Sequence, residues 1–517
     1  MKGNVANSLW EAAEKWPLRK ALVIAQNGQS VSFDELRIQA GAVAAALQNQ
    51  GIKAGDTVLV MLKPGLEFFA TMFGLSAIGA TGVLVDPGMG YSAMFRCLES
   101  IKPEAIIAES AFHLLSWVFR TFEGGLFRVS RGWLPGCVSW STFVDHHPID
   151  APIACAPDQL AVLAFTSGST GRPKPVVMDQ GTLWAQIEAV REMSRIQPGQ
   201  VQMAFIPLNA LLGPGLGCTT ILPSVDSRRI QSMNPQQTLD EMKTYQVSHC
   251  LGSPFIWRRI AEVLQDHEEA TLPLEHLLIG GAPPDRELVK TLLARSEAKI
   301  SIAYGATEAV PITTGSAADF LANQKGCFVG KPVPQMEALM IVGGDKPRRA
   351  HDEEVGELWI RGPLVSPGYV GYASSEHRRQ FEGKDWHPTG DCGYFTAHGE
   401  LVLLGRKAHC VHTSEGPLYP LLVEPIFESH PGVLRAALVA LDDEPPQRAA
   451  LVVIPRGTHS PKRLTEELQD LARDEDIPAI ESILYTRHFP LDVRHHSKIL
   501  RHELARWARS NIPKRLM

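Results

Sequence analysis

Thr166-Ser-Gly-Ser-Thr-Gly-Arg-Pro-Lys174 packs hydroxyls, glycines and a terminal cation into nine residues, the composition a chain needs to wrap a polyphosphate. Through Thr166, Ser167, Gly168, Ser169, Thr170 and Gly171 the small side chains let successive backbone N–H groups turn toward one anion. The hydroxyls add donors, and Lys174 supplies a mobile positive charge. The plainer reading is a flexible surface loop joining a strand to a helix. Its flanks oppose that: residues 160–165 read as a buried strand, and the apolar pair Val176 and Val177 follows Lys174 closely. No Gly-Lys-Ser/Thr ends the stretch, so it is not a P-loop of the Walker type. A nucleoside triphosphate is the expected guest.

On either side the chain alternates strand and helix. Residues 34–50 place Leu36, Ala40, Val43 and Leu47 at helical spacing before Gly51 stops them, and residues 57–62 form an apolar strand. Short apolar runs at 83–85, 105–108, 160–165, 202–206, 277–279 and 300–303, separated by helical segments, predict parallel sheets covered by helices. Asp86-Pro-Gly-Met-Gly90, Gly280-Gly-Ala-Pro-Pro284 and Tyr304-Gly-Ala-Thr-Glu308 follow such runs, at the carboxyl ends where parallel sheets gather ligands. From about Ile341 closely spaced β segments take over, such as 357–361 and 401–404, up to a junction at Gly405-Arg-Lys-Ala408. Beyond it lie strands at 436–441 and 450–454, a helix at 465–472 and a basic tail. The expected fold class is α/β: a large N-terminal domain (1–405) of two helix-flanked sheets plus a β-rich subdomain, with a small α+β C-terminal domain (406–517).

At 517 residues the chain is too long for one hydrophobic core, and its 44% hydrophobic content is ample to fill two or more. Fifty Lys and Arg against 56 Asp and Glu give a net charge of −6 with no long run of either sign. That leaves neither a nucleic-acid track nor a polybasic membrane patch. The eight cysteines are scattered without a Cys-x-x-Cys pair, which fits reduced thiols and a cytoplasmic location. Residues 1–15 carry Glu11 and Glu14 and no apolar core of signal-peptide length. Uncharged stretches at 68–85 and 196–225 are interrupted by glycines and prolines, so buried elements are expected there rather than transmembrane helices.

Taken in order, residues 166–174, Tyr304-Gly-Ala-Thr-Glu308, Gly356-Glu-Leu358, Thr389-Gly-Asp391, Gly405-Arg406 and Lys498-Ile-Leu-Arg501 resemble the core motifs of the adenylate-forming superfamily of acyl-CoA synthetases, luciferases and nonribosomal adenylation domains. An enzyme that activates a carboxylate must hold two anions together during attack on the α-phosphorus, so its main task is placing positive charge and donors. The resemblance implies ATP and Mg2+ as cofactors and assigns the parts. Residues 166–171 with Lys174 cover the β and γ phosphates; Gly281, Ala282 and Gly305 belong to the nucleotide site, and Tyr304 packs on adenine. Thr307 hydrogen-bonds the α-phosphate, and Glu308 holds magnesium, a hard cation that favours carboxylate and phosphate oxygen. Asp391 accepts from the ribose hydroxyls, with Arg406 near ribose and phosphate. Lys498 reaches in from a mobile small domain to bridge carboxylate and α-phosphate. Lys498, Thr307 and Glu308 are the expected catalytic residues.

Residues 84–90, Tyr304-Gly-Ala-Thr-Glu-Ala-Val-Pro311, Gly405-Arg-Lys-Ala-His409 and residues 489–499 are similar to one branch, the β-lactone synthetases of bacterial long-chain olefin biosynthesis. In that branch a 2-alkyl-3-hydroxy fatty acid is adenylated and its own hydroxyl closes a four-membered lactone, releasing AMP. A lactone-decarboxylating hydrolase and a ketone reductase are the implied partners in an assembly. Against the superfamily pattern, Pro175 replaces the usual Gly and restricts Lys174 toward extended geometry, and Gln180 replaces a His. Ala408 stands where a polar hinge is common, which weakens a coenzyme A half-reaction; Asn209 stands where relatives place an acyl-pocket aromatic. His409, His412, His495 and His496 are read as structural rather than as the base for hydroxyl attack. Two other readings stay open: a fatty acyl-CoA or carrier-protein-loading ligase, which would need a thiol, and an inactive nucleotide-binding scaffold, which Glu308, Asp391 and Lys498 oppose.

Overall fold

The computed structural model describes residues 3–85, 94–95, 97–98, 101–119, 121–122, 126–166, 174–225, 230–267, 271–323, 325–344, 346–373, 377–457, 460–477, 480–491 and 498–512, with only the backbone of Thr166. Strands Leu160–Thr166 and Lys174–Asp179 are antiparallel neighbours with Thr166 opposite Lys174. The hydroxyl-rich stretch therefore joins strand to strand, and the helix, Gln180–Ser194, comes only afterwards. Residues 167–173 and the 86–90 run lie outside the described residues.

These two strands end a seven-stranded sheet ordered Val138–Ser139, Phe127–Ser130, Ala105–Ala108, Thr57–Met61, Thr81–Leu84, Leu160–Thr166, Lys174–Asp179. All other pairs in it are parallel. Its strands are apolar on both faces because helices cover both. One of them, Phe33–Asn49, starts at a capping box: the Ser32 hydroxyl accepts the Glu35 N–H while the Glu35 carboxylate accepts the Ser32 N–H. Another, Leu66–Ala77, is buried along its whole length and with Thr81–Leu84 accounts for the uncharged 68–85 stretch. No helix among the described residues is long and apolar enough to cross a membrane.

In the second sheet Lys20–Ile24, Thr219–Leu222, Val201–Ala204, His249–Gly252, His276–Gly280 and Lys299–Ala306 run parallel. The chain then reverses at Thr307 and Glu308 into the antiparallel strand Ala309–Ser316. The β-rich region continues this sheet: Cys327–Pro332 pairs with Ala309–Ser316 on one side and Leu401–Arg406 on the other, leading on to Lys384–Phe395, Gly356–Arg361 and Glu337–Val342. At that seam Gly330 sits at φ +76°, and a Cβ there would meet the Thr314 carbonyl oxygen at 2.1 Å. Both the left-handed backbone and the close approach require glycine.

Past one 3-10 turn, Lys407–His409, comes a smaller α+β domain: a three-stranded sheet, Val433–Ala440, Ala449–Pro455 and Ser482–Tyr485, with helices Pro420–Glu428, Pro461–Asp474 and Arg501–Asn511. Pro461 opens the middle helix at its first position, so it starts four residues before the expected Thr465. Burial pushes the His409 imidazole in the junction down to about 4, and the cations Arg501, Arg406 and His502 push the same way.

Two outcomes follow from these positions. Gly330→Ala should cost about 2–3 kcal/mol in denaturant unfolding, since strain and clash act together at the sheet seam. For His409 the unfolded chain takes up its proton near 6.5 and the folded chain only near 4. Between those values acid favours the unfolded state, so His409→Gln should flatten the pH dependence of thermal stability across that window.

Candidate active site

Strands Lys384–Phe395 and Leu401–Arg406 place Asp391 directly opposite Arg406. Arg406 Nε lies 2.9 Å from Asp391 Oδ1, and the Tyr304 hydroxyl donates to Oδ2 at 2.5 Å. Thr389 Oγ1 accepts the Asp391 N–H at 3.1 Å and donates to the Leu358 carbonyl at 2.9 Å, which fixes the backbone under the carboxylate. Burial holds the Asp391 carboxyl above its ordinary value; Arg406, the Tyr304 hydroxyl and Lys498 oppose that in part, and Glu308 adds to it. Lys498, exposed on the small domain, contributes its charge to this balance from beyond the junction. Burial and then Asp391 drive the Tyr304 phenol well above its ordinary value, so it remains a donor. Burial works against the Arg406 charge, but Asp391, Tyr304, Glu308 and Tyr369 together raise its pKa. The result is a carboxylate that stays available as an acceptor among matched donors.

A second group forms around the turn at Thr307 and Glu308, which follows Tyr304 at the carboxyl end of its strand. The Glu308 carbonyl accepts the Ser366 N–H at 2.7 Å, and its carboxylate Oε1 accepts from the Tyr369 hydroxyl at 2.8 Å. Lys174 Nζ lies 5.2 Å from the Tyr369 ring centroid and 5.0 Å from that of Tyr372. Lys174 and Glu308, separated by more than a hundred residues in sequence, thus meet one aromatic side chain, the first at its ring and the second at its hydroxyl. Extended geometry at Lys174 is what its strand requires: Pro175 pairs with Phe165 and offers its carbonyl to the Val370 N–H at 3.1 Å. His387, buried nearby, donates from Nδ1 to the His377 carbonyl at 3.1 Å, and burial lowers its pKa while Glu308 opposes that.

The other expected residues divide. Gly280 pairs with Ala303, so Gly281, at φ +88°, and Ala282 leave their strand beside Tyr304. A Cβ on Gly305 would meet the Ala309 carbonyl oxygen at 3.0 Å. Ser167, Gly168, Ser169, Thr170 and Gly171 lie outside the described residues, as do His495 and His496. Gln180 is fully buried and its Oε1 accepts the Val5 N–H at 2.7 Å, so it anchors the N-terminal segment. Asn209 sits in the short helix Pro207–Ala210. Sequence reasoning missed Tyr369, Tyr372 and the part played by the Thr389 hydroxyl. Thr389 lay inside a motif already singled out, whereas Tyr369 and Tyr372 follow a Pro-Gly pair with no periodic signal.

Glu308 fits the magnesium expected beside it. Among the described residues no group of three or more His, Cys, Asp or Glu could hold a metal alone, and one Glu308 oxygen already accepts from Tyr369. A lone carboxylate suits a hard cation that keeps several waters and takes further oxygens from a bound phosphate.

The family model described as AMP-binding enzyme matches residues 9–370. The olefin beta-lactone synthetase of Xanthomonas campestris pv. campestris is 33% identical, over 93% of this chain and 91% of the relative. That of Stenotrophomonas maltophilia is 31% identical over 99% of each. Among solved structures, the amide bond synthetase McbA from Marinactinospora thermotolerans shares the fold at a TM-score of 0.83 and 22% identity, covering 97% of this chain and 99% of that one. With a match of that extent, and with Tyr304, Asp391 and Arg406 joined at the end of the second sheet, this chain belongs to the AMP-binding enzyme family and is an adenylate-forming ligase.

Proposed function

We propose that this ligase adenylates a long-chain 2-alkyl-3-hydroxy fatty acid and then closes it on its own 3-hydroxyl to a β-lactone. The observation that carries this reading is the likeness to two olefin beta-lactone synthetases along more than nine-tenths of the chain. Ala408 at the junction supports it, because lactone closure needs no thiol and so no second pose built on a polar hinge.

In the first step a substrate carboxylate oxygen bonds to the α-phosphorus of ATP, and the bond to the bridging oxygen breaks with its electrons passing to pyrophosphate. Residues 1–405 supply the body. Thr166, Ser167, Gly168, Ser169, Thr170, Gly171 and Lys174 hold the β and γ phosphates, Tyr304 packs on adenine, and Gly281, Ala282 and Gly305 belong to the nucleotide site. Asp391 accepts from the ribose hydroxyls, Arg406 stands by ribose and phosphate, and Thr307 donates to the α-phosphate. Magnesium, when bound at Glu308, neutralises phosphate charge. The small domain, placed at 406–517 with Arg406 itself staying on the body strand beside Asp391, is the mobile part that brings Lys498 to the developing negative charge between carboxylate and phosphate. In the second step the 3-hydroxyl oxygen bonds to the acyl carbon, the acyl–phosphate oxygen bond breaks toward AMP, and the hydroxyl proton leaves to water. Both reacting groups sit in one molecule, which supplies proximity without a co-substrate. A cytoplasmic enzyme acting beside a lactone-decarboxylating hydrolase and a ketone reductase fits this chemistry.

Lys498→Ala should lower acid-dependent exchange of pyrophosphate into ATP by roughly 100-fold or more, with nucleotide affinity little changed. An unchanged exchange rate would remove Lys498 from the mechanism. With ATP, magnesium and a syn or anti 2-alkyl-3-hydroxy acid, mass and NMR analysis should show a product lighter by one water, formed equally without coenzyme A. A thioester formed only when coenzyme A is added would instead establish the acyl-CoA ligase reading, and no acid-dependent exchange at all would establish the scaffold.

A further inference from the structure

Lys498 is exposed, and three residues later Arg501 begins the helix Arg501–Asn511, whose N-cap residue, Leu500, contributes no side-chain cap. On the side before the helix the segment is held by backbone: Leu491 bridges Ile499, and the Leu500 N–H reaches the Pro490 carbonyl at 2.8 Å. Leu491 and Ile499 pack into the apolar cluster of the small domain, and the polar side-chain anchor beside them is Arg501. Its Nη1 and Nη2 meet Glu424 Oε1 and Oε2 at 2.5 and 2.8 Å, and Nη1 also donates to the Leu438 carbonyl at 2.9 Å. Glu424 Oε1 in turn accepts the Leu438 N–H at 2.7 Å. The two side chains are only 13% and 9% exposed, so this is a fork-to-fork pair inside the small domain.

Its place in the chain gives the pair its meaning. Glu424 lies on Pro420–Glu428, the first helix after the junction, and Leu438 lies on Val433–Ala440, the first strand of the small sheet. The guanidinium also bears on His409 in the junction itself. A buried ion pair is a poor source of net stability compared with apolar side chains of the same volume, but its two parallel bonds define an orientation that apolar contacts do not. Here the orientation defined is that of the segment leading to Lys498.

We propose that Glu424 and Arg501 form a positioning clamp that makes the Lys498 segment ride rigidly with the helix Pro420–Glu428, so that the small domain delivers the Lys498 ammonium to one fixed point over the body. This rests on the role given above to Lys498. Arg501 and Glu424 act through Lys498 and touch no substrate.

The test is a double-mutant cycle on the full chain, read by acid-dependent pyrophosphate exchange, with circular dichroism to confirm folding. Arg501→Lys keeps the charge and loses the fork; Glu424→Gln keeps an acceptor for the Leu438 N–H. Each should lower kcat for exchange about ten-fold or more while leaving the KM for ATP nearly unchanged. In the Lys498→Ala background each should change the residual rate by less than about two-fold, because the group being positioned is gone. The same fold-loss in both backgrounds would overturn the clamp and leave a merely structural pair, and so would no loss in either. Failure of both variants to fold would count against it too, since a positioning device leaves the fold standing. If Lys498→Ala alone left exchange unchanged, the underlying role of Lys498 would have failed, a result visible before any clamp variant is read.

Discussion

A carboxylate only 8% exposed holds its charge only where donors and cations surround it, and Asp391 draws these from separate parts of the molecule. Tyr304 comes from the last parallel strand of the second sheet, Arg406 from the end of the strand before the junction, and Lys498 from the small domain. Burial alone would neutralise Asp391 as its pKa rose. The three partners oppose that and are held together by doing so. The parallel sheet and its antiparallel extension therefore have to sit where they do for this one carboxylate to remain an acceptor, and the small domain adds the charge of Lys498.

The seam at Cys327–Pro332 makes this arrangement possible. Were the β-rich region a separate sheet, Asp391 and Tyr304 would belong to units free to shift against each other. Instead one hydrogen-bonded ladder runs from Lys299–Ala306 through Ala309–Ser316 and Cys327–Pro332 to Leu401–Arg406 and Lys384–Phe395. The bulge between Phe328 and Gly330, and the contact of Gly330 with Thr314 and Gly315, let the ladder bend without losing its pairing. The 2.5 Å hydrogen bond from Tyr304 to Asp391 then closes a path that already exists in the backbone.

Much of this was legible in the sequence because short apolar runs bounded by Gly and Pro carry a direct physical meaning. Val83, Ile106, Leu163, Leu277 and Ile300 all fall on parallel strands as their neighbours predict. Boundaries were less legible, since they depend on caps such as Ser32 and Pro461 rather than on periodicity. The continuity of the second sheet was not legible at all: pairing of Cys327 with Leu403 is a long-range match that no local pattern encodes. In the site, the order of motifs singled out Tyr304, Glu308, Asp391 and Arg406, which the fold draws into two adjoining groups. Tyr369 escaped because its partner Glu308 is 61 residues away and its own surroundings look like an ordinary turn. Gln180 illustrates the converse, a residue conspicuous by comparison that proves to tie down Val5.

The charged pairs also bear on how the small domain is attached. Asp391–Arg406 lies wholly before residues 407–409, and Glu424–Arg501 wholly after them. A turn of the small domain about that segment would leave both intact, so neither the buried Glu424–Arg501 pair nor the half-buried Asp391–Arg406 pair has to be broken. The Lys407–Glu357 contact is a partly exposed pair of the kind that contributes about 0–1 kcal/mol. Two other encounters of charge near the junction involve groups alike in sign. Burial lowers the His409 pKa first, and Arg501 and Arg406 press the same way; Glu428 of the small domain is raised to about 7 mainly by burial, with Asp285 of the body adding to the rise. A further attraction across the boundary is that between Lys498 and Asp391, at the site itself. Rigid internal pairs on each side leave the contacts between the two parts, Lys407–Glu357 and the charge of Lys498 on Asp391 among them, as those that a rotation about residues 407–409 would change.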